Sequence, residues 1–388
     1  MAYQNVILLG GTGNVGREFL SQVVRNDTEF SNKHRNPTNI IALANSKGFW
    51  FNRHGLEIQK NSGEIDKWKH NKEAFIKFMN DLDVYKSNNN LEGLLDLTED
   101  EDLSGEVVFV DATSGKDDLR DFHLKVITET EGIIITANKN PLSLYETDIF
   151  RTLTKFRERY GFRCTVMAGA NTVTNFLDYY DTSEKVCKIE ACFSGTLGYI
   201  CTELEKEEKV FSQILKDARE LGYTEPHPKD DLNGLDVARK LIICARTFGY
   251  DINMSDINLE GFIDDAFLQI EDKDEFMETV KGADQELKEK FASAKSRGKT
   301  IKYLAGFYLP ENGKPILNAG LMEVGTDSPL GTLRGSSNKV IIETDIFKGD
   351  KKNIIESPGA GLDVTAWGLR RELLSRLRGR RGGDYKLA

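Results

Sequence analysis

Three glycines, Gly11, Gly13 and Gly16, form a G-x-G-x-x-G spacing directly after the apolar run Val6–Leu9. A strand that ends in such a turn and opens a helix lets a pyrophosphate approach backbone N–H groups. Side chains at these positions would block the turn, the phosphate and the packing of helix on strand. Thr12, Asn14 and Val15 complete the candidate phosphate loop. Outside that context the same spacing is an ordinary glycine-rich turn. A free ribose 2′-hydroxyl usually meets an Asp or Glu at the end of the second strand, and Asn45, Ser46 and Lys47 occupy that position here, with Arg53 nearby. No carboxylate repels a 2′-phosphate, so NADP is expected ahead of NAD. Thr113, Ser114 and Asn138 are further expected cofactor contacts.

A second set of residues starts at Gly222. Gly222-Tyr223-Thr224-Glu225-Pro226-His227-Pro228-Lys229-Asp230-Asp231 is a stiff acidic loop leading into a helix with Asp236 and Lys240 on one face. An Asp/Lys pair at that spacing is usually a solvent ion pair. The carboxylates just before it suit a substrate carrying an ammonium group, which leaves the lysine for proton transfer. Lys139 follows the strand ending at Thr136, so it projects at the carboxyl end of a parallel sheet, where ligands bind in doubly wound folds. A structural turn lysine is the plainer reading there. His227, a lone loop histidine, is expected to be incidental.

Positioning these groups requires a framework, and the apolar runs supply one. Val6–Leu9, Asn39–Ala44, Val107–Asp111 and Gly132–Thr136 read as parallel strands covered on both faces. Helices follow Gly16 and span Leu119–Ile127. Residues 1–150 are therefore expected to form a Rossmann-type, doubly wound α/β domain. Between Asn52 and Asp102 the signal is weak: one helix through Trp68, Phe75, Ile76, Met79 and Leu82, a loop at Ser87–Asn90, and a solvated acidic loop at Thr98–Asp102. Residues 151–354 read as an α+β domain. Its expected helices are Phe211–Leu221, Leu235–Phe248 and Asp284–Arg297, and its strands are near Val186–Phe193, Ile301–Leu309, Pro315–Met322 and Lys339–Phe347. A last helix, with a stripe of Val364, Trp367, Leu374 and Leu377, is expected to complete the first domain over residues 355–378, leaving 379–388 as a flexible tail.

The 388 residues suffice for about two domains. A net charge of −10 gives no overall attraction to nucleic acid or anionic bilayers. No apolar stretch approaches membrane-spanning length, and the start resembles no signal peptide, so a cytoplasmic location is expected. Five cysteines without a C-x-x-C pair suit reduced, mostly buried thiols, and five unpaired histidines make a tetrahedral zinc site improbable.

The chain resembles homoserine dehydrogenase over nearly its whole length. The most specific stretch is GYTEPHPKDDLNGLDVARKLIICAR from Gly222 to Arg246. VILLGGTGNVG, ANSKG from Ala44, TANK ending at Lys139, FSGTLGYI from Phe193 and PGAGLDVTA from Pro358 match in the family's order. The resemblance implies reversible, NAD(P)-dependent interconversion of L-homoserine and L-aspartate 4-semialdehyde in the branch leading to threonine and methionine. It assigns Lys240 as acid/base on the substrate hydroxyl, Asp236 as the group that orients it, and Lys139 as a substrate holder. Glu225 and Asp231 would face the substrate amino end, and Gly195, Thr196, Tyr223 and Thr224 would line the pocket. Gly359, Ala360 and Gly361 would form the glycine-rich loop near the nicotinamide. To the domain at 151–354 it adds substrate binding and dimerisation. The two lysines, from separate domains, would then grip one short zwitterion. A monofunctional protein, lacking an aspartokinase half and assembling as a homodimer or homotetramer, is expected.

One segment departs from the family pattern. Met167–Thr172 replaces the usual GAG-L-P or GG-I-P type sequence, and Cys164 stands where a glutamate often helps bind a monovalent cation, so the metal is left open. Two other readings compete: a related oxidoreductase acting on a different amino-acid alcohol, and a catalytically silent NADP-binding regulator.

Overall fold

A computed structural model describes residues 4–29, 38–58, 63–88, 91–100, 103, 105–311 and 313–380. The chain divides into two compact units, Met1–Ala168 with Gly361–Ala388, and Gly169–Ala360.

The first unit is built on seven strands: β1 (Gln4–Leu9), β2 (Asn39–Asn45), β3 (Gly48–Phe51), β4 (Tyr85–Ser87), β5 (Glu106–Asp111), β6 (Ile133–Thr136) and β7 (Tyr160–Gly161). Their order is β4-β3-β2-β1-β5-β6-β7. β2, β1, β5, β6 and β7 run parallel, while β3 and β4 add an antiparallel edge. Helices α1 (Asn14–Glu29), α2 (Ile65–His70), α3 (Lys72–Asp81), α4 (Leu91–Asp100), α5 (Asp117–Glu129), α6 (Asn140–Ser143) and α7 (Thr147–Thr154) complete it. Val6, Ile7, Leu8, Val108, Val110, Ile134 and Ile135 are wholly buried, as parallel strands with helices on both faces require. The expected doubly wound fold is what the chain adopts.

The weakly patterned stretch is more ordered than its sequence suggests. The single helix expected around Trp68–Leu82 is two, because Asn71 takes extended geometry (φ −126°, ψ 97°) and caps α3 by accepting from Ala74 N. Thr98, Glu99 and Asp100 end helix α4 and are not loop, and Ser87 belongs to β4. Glu101 and Asp102 of the acidic run, and Asn89 and Asn90 of the expected loop, lie outside the described residues.

The second unit carries a six-stranded sheet of order β13-β12-β8-β10-β11-β9. Its strands are β8 (Val186–Cys192), β9 (Ile257–Leu259), β10 (Lys299–Tyr308), β11 (Ile316–Gly325), β12 (Ser337–Thr344) and β13 (Asn353–Pro358). The helices are α8 (Thr172–Asp181), α9 (Gly195–Lys206), α10 (Phe211–Glu220), α11 (Lys229–Leu232), α12 (Leu235–Thr247), α13 (Asp265–Leu268), α14 (Lys273–Thr279) and α15 (Asp284–Ser296). All pairings are antiparallel except that of β9 with β11. α12 packs on β10 and buries nearly every residue from Val237 onward, which is why its sequence reads as the strongest helix of the chain. It begins at Gly234, held at φ +71°, where a Cβ would fall 1.9 Å from the Tyr303 hydroxyl.

The chain returns to the first unit with α16 (Leu362–Arg380). Its inward face is Ala366, Leu369 and Leu373, packed in one core with Phe19, Leu20 and Val23 of α1. This corrects the expected stripe: Trp367 is 47% exposed, with Arg371 over its ring. The face is selected by close approach at Gly368, where a Cβ would lie 2.4 Å from Cys164 Sγ and 2.6 Å from the Ala168 carbonyl. The unit boundaries also differ from the expected 150 and 355. β7 extends the first sheet by pairing with β6, and β13 belongs to the second sheet by pairing with β12. Of the expected tail, Gly379 and Arg380 end α16 and residues 381–388 lie outside the described residues. Among the described residues no helix is long and apolar enough to cross a membrane.

Gly234→Ala combines a left-handed backbone with a side-chain collision, a type of strain that costs on the order of 1–3 kcal/mol. A thermal melt should show a clearly lower midpoint than the parent, whereas Gly222→Ala, also at positive φ but with nothing within 4 Å of a built Cβ, should be the milder change.

Candidate active site

At the end of β1 the chain turns on a set of backbone hydrogen bonds. Gly10 N and Gly11 N both donate to the Ala44 carbonyl at 3.0 Å, and Gly13 N donates to the Gly10 carbonyl at 2.8 Å. A Cβ on Gly16 would stand 2.3 Å from the Gly10 oxygen, and one on Gly11 would stand 2.9 Å from Leu43 Cδ2. At Gly16, where the clash is with backbone, no side chain fits, and α1 starts at Asn14 directly after this turn. Val15 packs against the core of the unit, and Thr12 is buried. Sequence reading missed Arg17, whose buried guanidinium donates to the Thr12 carbonyl (2.6 Å), Asn14 Oδ1 (2.9 Å) and the Lys69 carbonyl (3.2 Å). Arg17 clamps the glycine turn from behind, and an arginine just inside an apolar helix was the only signal for it.

Asn45, Ser46 and Lys47 form the tip of the β2–β3 hairpin, where Asn45 Oδ1 accepts from Lys47 N at 2.8 Å. A cleft of about 460 Å³ beside it is lined by Thr12, the hairpin residues from Asn45 to Trp50, Lys72, Ile76, Asn80, Lys86, Ser87 and Asn88. Among the described residues three lysines and no carboxylate line this cleft, so it suits a phosphate, and Arg53 is not part of that lining. Lys72 and Lys86 were missed because they come from α3 and β4, in the stretch whose pattern was weakest. Asn45–Phe49 also line a second cleft of about 650 Å³, which carries Glu92, Asp118, Asp121 and Glu129 together with Lys47 and Lys125.

A buried polar lattice fixes the carboxyl ends of β5 and β6. Asp111 accepts from Thr113 N (2.8 Å) and from the Thr136 hydroxyl (3.1 Å), and His123 Nε2 stands 3.3 Å away. Burial pushes the Asp111 carboxyl up, but His123 and Thr113 outweigh it and hold the group below its ordinary value. Asn138 Nδ2 donates to the Gly115 carbonyl and Asn140 Nδ2 to that of Ser114, each at 2.9 Å. The Thr113–Gly115 loop is thus held from both sides. Half-buried Lys139 caps the short helix α6, its carbonyl accepting from the Ser143 hydroxyl at 2.7 Å. The glycine cradle, the lysine-lined cleft and this rigid loop are a donor set that fits a dinucleotide carrying an additional phosphate.

In the second unit Lys240, 6% exposed, directs its ammonium at Asp236 Oδ2 (2.8 Å) and at the Phe193 carbonyl (2.6 Å). It is therefore not the solvent ion pair that the spacing usually signals. Phe193 leads through Ser194, which caps α9, into Gly195 and Thr196. The Thr196 hydroxyl has one proton for two acceptors, the Tyr223 carbonyl at 2.6 Å and Asp231 Oδ1 at 3.0 Å. Asp231 Oδ2 accepts from Glu225 N at 2.8 Å. Desolvation raises the Asp231 carboxyl to about 6, with Glu225 and Asp236 adding to the rise and the Glu225 amide and Thr196 opposing it. Glu225, Asp231 and Asp236 are thus within electrostatic range of one another. Tyr223 is exposed, stacks edge-on with Tyr199, and is followed by half-buried Thr224. His227 is turned away: it packs edge-on against Phe276 and its Nε2 sits 3.2 Å from the Glu271 carbonyl.

The structure therefore assembles two sets. Gly11–Gly16, Asn45–Lys47, Thr113, Ser114, Asn138, Lys139 and Gly361 belong to the first unit. Gly195, Thr196, Tyr223–Glu225, Asp231, Asp236, Lys240 and Gly359 belong to the second. Gly361 takes φ +135°, a value open to glycine. Cys164 is buried beneath α16, its Sγ 3.6 Å from the Thr365 carbonyl, and burial raises its thiol well above the ordinary value. A neutral thiol there supplies no carboxylate ligand.

Fold and site define a class: a doubly wound unit with a close-packed glycine turn after its first strand, joined to a unit presenting a buried lysine among carboxylates. The chain belongs to the homoserine dehydrogenase family, whose model matches residues 173–374. The homoserine dehydrogenase of Emericella nidulans is 32% identical across 62% of this chain and 68% of that protein. A bifunctional aspartokinase/homoserine dehydrogenase of Zea mays is 34% identical across 60% of this chain, which spans 25% of that protein's length. A hyperthermophilic archaeal homoserine dehydrogenase mutant in complex with NADPH shares the fold, with a TM-score of 0.69 at 19% identity over 98% of this chain and 99% of that one.

The raised Asp231 carboxyl sets a direction for stability. Its charged form is disfavoured in the fold, so the penalty is present above about 6 and is relieved as pH falls from there toward the ordinary carboxylate value of 3.8. Melting curves of the parent and of Asp231→Asn should show the parent gaining on the variant as pH drops from 7 to 4; a parent losing ground over that range would contradict the assignment.

Proposed function

We propose that this chain catalyses the reversible oxidation of L-homoserine to L-aspartate 4-semialdehyde with NADP, in the branch leading to threonine and methionine. The observation that carries the reading is the buried Lys240 ammonium, fixed by Asp236 and the Phe193 carbonyl beside the Thr196–Glu225–Asp231 cluster. Family membership and the NADPH in the archaeal enzyme support it.

Bound NADP supplies the hydride acceptor. The Gly11–Gly16 turn and the α1 N-terminus take the pyrophosphate, with Thr12, Asn14 and Val15 shaping the loop. Ser46 and Lys47 take the 2′-phosphate, joined by Lys72 and Lys86 in the same cleft. Thr113, Ser114, Asn138, Gly359 and Gly361 complete the cofactor contacts. Asp231 and Glu225 receive the substrate ammonium. Asp231 Oδ1 shares a single hydroxyl proton with another acceptor, so it has capacity for a further donor. Gly195, Thr196, Tyr223 and Thr224 line the substrate pocket, and Lys139 holds and polarises the substrate.

Lys240 moves the proton. In the direction of reduction its ammonium donates to the oxygen on which negative charge develops. In the direction of oxidation the neutral amine takes the hydroxyl proton while Asp236 keeps the side chain aimed. Oxidation releases a proton overall, so alkaline pH favours it. Assembly from two or four copies and a cytoplasmic location are part of the same reading, and light scattering of the purified chain tests the assembly.

Purified protein with NADP and L-homoserine at alkaline pH should produce absorbance at 340 nm; none, beside an active control, would refute the activity. Lys240→Ala should lose at least about 100-fold in kcat, the lower range for a general acid/base, with NADP binding nearly unchanged. Lys47→Glu should place a carboxylate where the 2′-phosphate is bound and shift the NADP-to-NAD ratio of kcat/KM toward NAD by roughly tenfold or more.

A further inference from the structure

Asn338 is 1% exposed, and neither its amide nitrogen nor its amide oxygen has a hydrogen-bond partner among the described residues. A buried carboxamide in that condition is costly, since it gives up water and gains nothing in return. Its surroundings locate it. Asn338 lies at the start of β12, opposite Ser357 of β13 and next to Lys339, which pairs with Cys192. Cys192 precedes Phe193, whose carbonyl receives Lys240 Nζ. Above the amide runs the Pro358–Gly361 segment that joins β13 to α16. A Cβ on Gly359 would fall 1.8 Å from Asn338 Nδ2 and 2.6 Å from Oδ1, so the Gly359 backbone rests directly on the carboxamide.

The segment above carries little steric restraint of its own. Gly359 has no side chain, Ala360 is exposed, and Gly361 sits at φ +135°. Peptide rotation between two glycines meets little steric resistance. A carboxamide brings two donors and an acceptor, and the polar atoms that a small rotation would bring to it are the peptide groups of this strap.

We propose that Asn338 is a positioning residue for the cofactor: its carboxamide clasps the Gly359–Ala360 peptides when the dinucleotide is seated, and so fixes the strap against it. This rests on the dinucleotide reading given above. Pairing that is completed only with ligand present adds to ligand affinity and not to the stability of the free protein. The two properties therefore separate on substitution. Asn338→Leu keeps the branched shape, with somewhat larger ends, and removes the polar atoms. Without cofactor it should melt at or above the parent temperature. NADPH affinity, read by fluorescence titration, should weaken by about tenfold or more, with kcat reduced and KM for homoserine within about twofold. A variant that melts lower while binding NADPH like the parent would overturn the proposal, because the amide would then be structural. If the leucine variant does not fold, Asn338→Ala answers the same titration. A parent that binds NADPH yet fails to oxidise homoserine would refute the activity alone, and the difference in NADPH affinity would still decide the role of Asn338.

Discussion

Burying a lysine ammonium is the constraint around which the second unit is arranged. Removed from water, the charge must keep its hydrogen bonds or be lost, and Lys240 keeps them with one carboxylate and one backbone carbonyl. The carbonyl belongs to Phe193, so the end of β8 and the middle of α12 must meet at hydrogen-bonding distance. That meeting depends on how α12 begins. Gly234 turns the chain with a left-handed backbone under the Tyr303 hydroxyl, and α12 then lies along β10. The same turn of chain brings Asp231 to Thr196 and the Glu225 amide. A single packing arrangement thus gathers a cation, three carboxylates and a helix start.

The first unit meets a different constraint, that of holding a glycine turn and the neighbouring strand ends rigid. Backbone amides of a glycine turn are useful only if the turn cannot relax, and Arg17 holds this one through two carbonyls and a side-chain amide oxygen. At the neighbouring strand ends the Asp111 carboxylate organises Thr113 and Thr136, while Asn138 and Asn140 brace the Thr113–Gly115 loop. The Asp111, Asn138 and Asn140 side chains of that lattice are hydrogen-bonded. Asn338 in the second unit is the opposite case, a buried amide with neither end paired among the described residues: satisfied networks rigidify, whereas an unsatisfied buried group is a cost.

Much of the framework was legible in the residues. Val6–Leu9, Val107–Asp111 and Gly132–Thr136 are continuous apolar runs, and only strands covered on both faces can use them. Gly11, Gly13 and Gly16 were readable because steric exclusion acts at adjacent positions in the chain. Where polar and apolar residues mix over short elements, as from Asn52 to Asp102, periodicity faded, and a capping Asn71, the edge strands β3 and β4 and helix α4 escaped notice. Lys72 and Lys86 went with them.

The sequence by itself determined the strand-turn-helix around Gly11–Gly16, the i,i+4 placement of Asp236 and Lys240, and the acidic loop ahead of them, because each follows from local spacing along one chain segment. Only the tertiary structure decided that Lys240 is buried and not on a solvent face, that α16 turns Ala366, Leu369 and Leu373 inward and leaves Trp367 exposed, and that Arg17 and Asn338 matter. Those outcomes depend on contacts between residues remote in sequence, where desolvation and close packing act, and neither leaves a periodic trace in the order of amino acids.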